Sequence, residues 1–285
     1  MEGPAAPRGQ DLEQSGMVVT REGPPRLVLG SVDALERQNS RMSIPLGLAR
    51  PQQDDSHQLL PTALRTGEVV EVLAAPGSSA SFDLCAQLVL SLLSRCGHTA
   101  AAAAGADSHG DVPVQVLWVD TCLGFSAERL YSLARERFVG QFSREQLKRV
   151  LLDKVQVLRV HTLADLVQVF SGLDFELSGE AFNFKLVVVD SMFGLLASES
   201  GEARSLSGAY VSRLQLQLRR LCSTYDLAVL LTNVDRLSVG GLAWQSTAHV
   251  RWVVEVGPLG KLEVRIHTPG QRTGQDQLAD HAHGS

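Results

Sequence analysis

The stretch TGEVVEVLAAPGSSASFDLCAQL, residues 66–88, decides the fold. Its first part, EVVEVLAA (68–75), is an apolar run of strand length, and such runs belong to strands covered on both faces of a parallel sheet. A Gly and Ser turn follows, and in FDLCAQLVLSLLSRC (82–96) the apolar residues recur at helical spacing. Strand, Gly/Ser turn and helix in that order are the local form of a phosphate site, because the turn delivers backbone N–H groups at a helix N-terminus.

Working outward, the same alternation repeats. VQVLWVD (114–120), VQVLRV (155–160), FKLVVVDS (184–191), LAVLLTN (227–233), VRWVVEV (250–256) and KLEVRIH (261–267) read as further strands. Ser126 caps a helix AERLYSLARERFV, with Glu128 at the positive end of its dipole. Ser143 and Gln146 make a capping-box pattern before REQLKRVLL, an amphipathic helix runs from Thr162 through Phe170, and a Leu- and Arg-rich helix covers roughly 205–223. Strands alternating with helices predict an α/β fold: a mostly parallel twisted sheet with helices on both faces.

The chain has 285 residues, enough for one large domain or two small ones at ~150 residues per domain. Hydrophobic residues are 44% and charged residues 20%, which excludes a chain disordered throughout, a collagen or a coiled coil. The net charge of −5 gives no global basic field, so any hold on nucleic acid has to come from a local patch or a partner. No apolar run reaches the ~18–20 residues of a membrane span, and Glu2, Asp11 and Glu13 stand where a signal peptide needs a basic and then an apolar stretch. An intracellular protein with no membrane partner is expected. Cys85, Cys96, Cys122 and Cys222 form no CxxC and read as reduced thiols; His281 and His283 sit in a polar tail rather than a metal site.

Residues 1–26 are expected to be a mobile N-terminal segment, 27–270 the core domain, and 271–285 a mobile C-terminal tail. Within the core, LVLGSVDALER (27–37) reads as strand, turn and helix, PQQDDSHQLLP (51–61) as a loop, and GHTAAAAAGADSHGDVP (97–113) as a surface insertion. Two strands end in an aspartate, Asp120 and Asp190, on the edge where the first strand delivers its Gly/Ser turn. A strand-end Asp alone could equally cap the loop that follows it. Paired, and beside that turn, they point to a nucleotide site.

These residues resemble the RecA-like recombinase family in its eukaryotic and archaeal form, and within it the recombinase paralogues. The TGE-initiated strand and its loop (66–88), VDTCLGFSAERL (119–130), KLVVVDSMFGLL (185–196), AVLLTN (228–233), and GGLAW (240–244) followed by a strand with Arg251 resemble the family's segments in order and spacing. The resemblance runs from about Leu27 to His267 and implies a RecA-like P-loop core, with a nucleotide held by Gly77, Ser78, Ser81 and Asp190 and Mg²⁺ by Ser81 and Asp190.

Against that pattern the chemical centre is eroded. A working P-loop reads GxxxxGK[ST], its glycines letting the backbone wrap the phosphates and its lysine neutralising them. AAPGSSAS (74–81) keeps Gly77 and Ser81, but Ala74 and Ser79 replace glycines and Ala80 the lysine. Losing one cation ~4 Å from a phosphate removes about 4 kcal/mol at an effective dielectric of ~20, roughly a thousandfold in binding. Cys122 stands where the resemblance places the catalytic glutamate, and Val234 where it places the γ-phosphate-sensing glutamine. ATP and Mg²⁺ are therefore expected to bind weakly, and a pseudo-ATPase is the expected outcome.

The segment corresponding to the second DNA loop has only ten residues between Asn233 and Trp244, and 26 N-terminal residues are too few for the helical DNA-binding domain the family carries before its core. Arg204, Arg213, Arg219, Arg220 and Trp244 are the candidate contacts to DNA or a partner; the same arginines also suit a solvated helix face. Trp118 and Trp252 lie in strand patterns and are expected in the core, and Cys122 is expected to pack as a small buried hydrophobe. The resemblance implies a nuclear, non-catalytic subunit of a complex that supports recombinase filament assembly in homologous recombination repair. Its partners would be other recombinase paralogues or the recombinase itself, with single-stranded or branched DNA reached through the complex. The alternatives are an active DNA-dependent ATPase, or a DNA-binding module without ATPase.

Overall fold

The computed structural model describes residues 41–46, 61–102, 114–179, 182–198, 202–234, 247–257 and 260–267, with backbone alone at 96–102, 197–198, 202–207 and 267. The expectations for 1–26, 27–37, 51–61 and 271–285 lie outside the described residues. No helix among the described residues is long and apolar enough to cross a membrane.

In chain order the elements are β1 (Ser43–Pro45), β2 (Ala63–Arg65), β3 (Val69–Ala74), α1 (Ala80–Ala102), β4 (Val114–Asp120), α2 (Ala127–Arg137), α3 (Arg144–Lys154), β5 (Val155–Arg159), α4 (Leu163–Ser178), β6 (Asn183–Asp190), α5 (Met192–Ser198), α6 (Glu202–Tyr225), β7 (Ala228–Val234), β8 (Val250–Val256) and β9 (Leu262–His267). β1 and β2 form a small antiparallel pair. The other seven strands make one sheet in the order β5-β4-β6-β7-β3-β8-β9. All its neighbours run parallel except β8 and β9, which pair antiparallel.

Alternation along the strands explains the two-sided burial. Val70, Val72, Trp118, Leu186, Val188 and Leu230 face one layer, packed with α1, α2 and α3. Val69, Leu117, Val119, Val187, Val189, Val229 and Leu231 face the other, packed with α4, α5 and α6. Trp118 is fully buried and Trp252 nearly so, as expected of core residues. Trp118 meets Phe82 and Phe125 with ring centroids 5.2 Å away in each case, fastening the loop after β4 and the start of α1 to the sheet.

The helices begin where the sequence places their caps. Ser126 accepts from Arg129 N, Ser143 and Gln146 close a capping box, and Thr162 accepts from Asp165 N. α4 runs two turns past Phe170 because Leu173 and Leu177 continue its buried stripe. α1 runs through the first residues of the expected insertion to Ala102, as its alanine run allows. Gly67 turns the chain into β3 at φ +82, where a Cβ would lie 2.6 Å from the Arg41 side chain. Thr66 anchors the same turn, donating to Asp226 Oδ1 at 2.6 Å.

Candidate functional site

Parallel strands deliver their carboxyl ends to one edge, and register makes that edge compact. Asp120 of β4 lies opposite Asp190 of β6, and Ala74 of β3 opposite Val234 of β7. The loop after β3 turns at Gly77, which has φ +73, and enters α1 at Ala80. Between them lies an open cleft of about 460 Å³ lined by residues that include Gly77, Ser78, Ser79, Ser81, Cys122, Arg129, Asp190, Thr232 and Asn233. Gly77, Ser78, Ser81 and Asp190 all line this cleft.

The two strand-end aspartates part company. Asp190 lines the cleft and accepts from Thr232 Oγ1 at 2.6 Å; burial pushes its carboxyl up, the Thr232 hydrogen bond opposes this, and the nearby Asp120 charge adds to it. The Asp120 carboxylate is instead taken up by the loop after β4, accepting from Gly124 N at 3.0 Å and Phe125 N at 3.4 Å. It shapes the loop after β4, the ordinary work of an Asp at a strand end.

Cys122 departs from expectation: it is exposed, not buried. The expectation treated it as a core thiol, but the loop following β4 leaves the sheet and carries it to the cleft wall. Its sulfur donates to Asp190 O at 3.6 Å; partial burial of the sulfur and then the Asp190 and Asp120 charges raise its pKa. The thiol is therefore held protonated, the wrong form for a base or nucleophile.

Among the described residues, the ionisable groups lining the cleft are Cys122, Arg129 and Asp190. Arg129 of α2, the one lining cation among the described residues, is engaged by Asp83 of α1, with Nε at 2.8 Å from Oδ1 and Nη2 at 2.7 Å from Oδ2. The same Nη2 donates to Ser79 Oγ at 3.0 Å, and the guanidinium lies over the Phe82 ring at 5.7 Å. Ala80 is wholly buried, and its N–H already donates to Ser78 Oγ at 3.1 Å. A polyphosphate needs free loop amides and an uncommitted cation. This donor set fits Mg²⁺-nucleotide poorly: Ser81 and Asp190 are the hydroxyl and carboxylate on hand for the metal, and Asp190 is already engaged. Among the described residues no group of three or more His, Cys, Asp or Glu is arranged to hold a metal.

One polar network escaped sequence reading. Glu71, buried in β3, receives Arg251 Nε of β8 at 2.5 Å and Asn233 Nδ2 of β7 at 3.0 Å. The register sets Glu71 directly opposite Arg251, so the pair bridges neighbouring strands and carries Asn233 to the cleft wall. A lone Glu within an apolar strand was its sequence signal.

The arginines do not gather at the cleft. Arg213, Arg219 and Arg220 are exposed on α6, and Arg220 pairs with Asp174 at 3.2 Å. Arg204 lies in α6 where only backbone is described, and Trp244 is outside the described residues.

Comparison with known proteins agrees with this architecture. The Rad51 family pattern matches residues 93–256, more than half of the chain. The chain is 28% identical over 180 residues to DNA repair protein RAD51 homolog 4 of Bos taurus, covering 62% of this chain and 49% of that protein. It is 25% identical over 242 residues to the Mus musculus RAD51 homolog 4, covering 78% of this chain and 67% of that one. To DNA repair protein RAD51 homolog 2 of Homo sapiens it is 28% identical over 129 residues, 44% of this chain and 33% of the other. The chain thus aligns with about half the length of the bovine relative.

Proposed function

Since the chain belongs to the Rad51 family and is a RecA-like recombinase paralogue, we propose that it works without ATP turnover, as a subunit of a complex that supports recombinase filament assembly in homologous recombination repair. The observation that carries this reading is the cleft: a RecA-like edge whose lysine position is the buried Ala80 and whose one lining cation among the described residues is committed to Asp83. A site so arranged has kept its scaffold while losing the charges that hold and cleave a triphosphate.

A subunit without chemistry acts through its surfaces. β5 is an edge strand, hydrogen-bonded on one side by β4, and its Val157 and Leu158 are 42% and 39% exposed. Successive strand residues face opposite sides, so apolar surface lies bare on both faces of this edge. An open edge of that kind takes a strand from another chain. Its partners under this reading are other recombinase paralogues or the recombinase itself, in the nucleus, with DNA held mainly through the complex.

The exposed Arg213 and Arg219 favour a second reading, a DNA-binding module without ATPase. Affinity purification of the full chain from cells, with mass spectrometry and a recombination reporter after its deletion, decides between them. Recovery of paralogues and loss of repair supports the subunit; a monomer whose deletion leaves repair intact overturns it.

A further inference from the structure

We infer that the Asp83–Arg129 pair is a built-in substitute for bound nucleotide, holding the loop between β3 and α1 in one conformation with the cleft empty of phosphate. The inference rests on the reading of the chain as a non-catalytic paralogue and adds how such a subunit keeps its shape.

Three contacts carry it. First, Asp83 lies in the first turn of α1, so its carboxylate puts a fixed negative charge at the positive end of that helix. In a working phosphate loop the ligand supplies that charge. Second, the guanidinium grips the carboxylate in a two-point fork and reaches on to Ser79 Oγ, while Ser79 Oγ also donates to Asp83 Oδ2 at 3.2 Å. The fork ties α2 to the loop and to α1, a bracing that a phosphate would otherwise provide. Third, the loop uses two of its own amides: Ser78 N donates to Ala75 O at 3.0 Å and Ala80 N to Ser78 Oγ. A loop with its anion, its cation and two of its amides already matched gains less from a triphosphate. The Asp83 carboxylate would also repel one.

Arg129 is 45% exposed and Asp83 17%, so solvent weakens the pair, but fork geometry is the arrangement in which such a pair retains its strength. The substitutions Asp83→Ala and Arg129→Ala test the brace, with Arg129→Lys keeping the charge and losing the fork. Amide hydrogen exchange at residues 77–81 is read against β6 amides in the same full-length sample, with and without ATP and Mg²⁺. The expected result is a loop exchanging roughly tenfold faster in both alanine variants and intermediate in Arg129→Lys, with wild type unchanged by ATP. Loop exchange unaltered by Asp83→Ala and Arg129→Ala would overturn the inference. ATP turnover by wild type that Asp190→Asn abolishes would instead overturn the non-catalytic reading, so the two failures are distinguishable.

Discussion

Asp190 is the residue at which the site and the fold pull against each other. Burial raises its carboxyl above the ordinary value, so the unfolded chain gives up that proton more readily than the folded one. Below the usual carboxylate range both states hold the proton and the effect vanishes. As pH rises through that range, the charge costs the folded state stability, and the cost persists at neutral pH. Asp190→Asn keeps an acceptor for Thr232 and removes the charge. Thermal unfolding should show it melting a few degrees above wild type at pH 7 and level with it below about pH 4; a lower midpoint at pH 7 contradicts the assignment. Glu71 is the opposite case, a buried carboxylate with its cation in place. Arg251→Ala leaves it uncompensated and should lose about 3 kcal/mol in urea denaturation, while adding Glu71→Gln should restore part of the loss.

The elements were largely legible before the structure, because buried strands declare themselves by unbroken apolar runs. β4 and β8 fall on the residues expected, and β3, β6 and β7 within a residue or so. Shorter pieces carried no period to read. β1 and β2 have three residues each, and α5, which follows β6 after one residue, has only seven. The site was legible in part: Gly77, Ser78, Ser81 and Asp190 come together because strand ends and loop order fix where they go. Arg129 and Asp83 are 46 residues apart and meet only through the packing of α2 on α1, so no local pattern announced them. The exposure of Cys122 likewise depends on the path of one loop. β5 supplies the test at this scale. Val157→Lys with Leu158→Lys changes exposed side chains, so unfolding stability should shift by less than about 0.5 kcal/mol while partner recovery in affinity purification falls. Unchanged recovery would remove β5 from the account of partner binding.

Across the whole molecule, charge and fold give a consistent division of labour. A chain of net charge −5 has no long-range attraction for nucleic acid, and of its α6 arginines Arg220 is partly neutralised by Asp174. The RecA-like sheet is intact and buried on both faces, whereas the edge that would do chemistry has its cation committed and its thiol held protonated. On the proposed reading, such a molecule contributes surfaces to an assembly rather than turnover. The most direct measurement is ATP binding and hydrolysis by the purified full-length chain, alone and with the partners it recovers, beside Asp190→Asn. The account predicts no saturable binding of Mg²⁺-ATP by this chain's own cleft below millimolar concentration, and any turnover in the complex unchanged by Asp190→Asn. Micromolar binding by the isolated chain, with turnover abolished in Asp190→Asn, would contradict it.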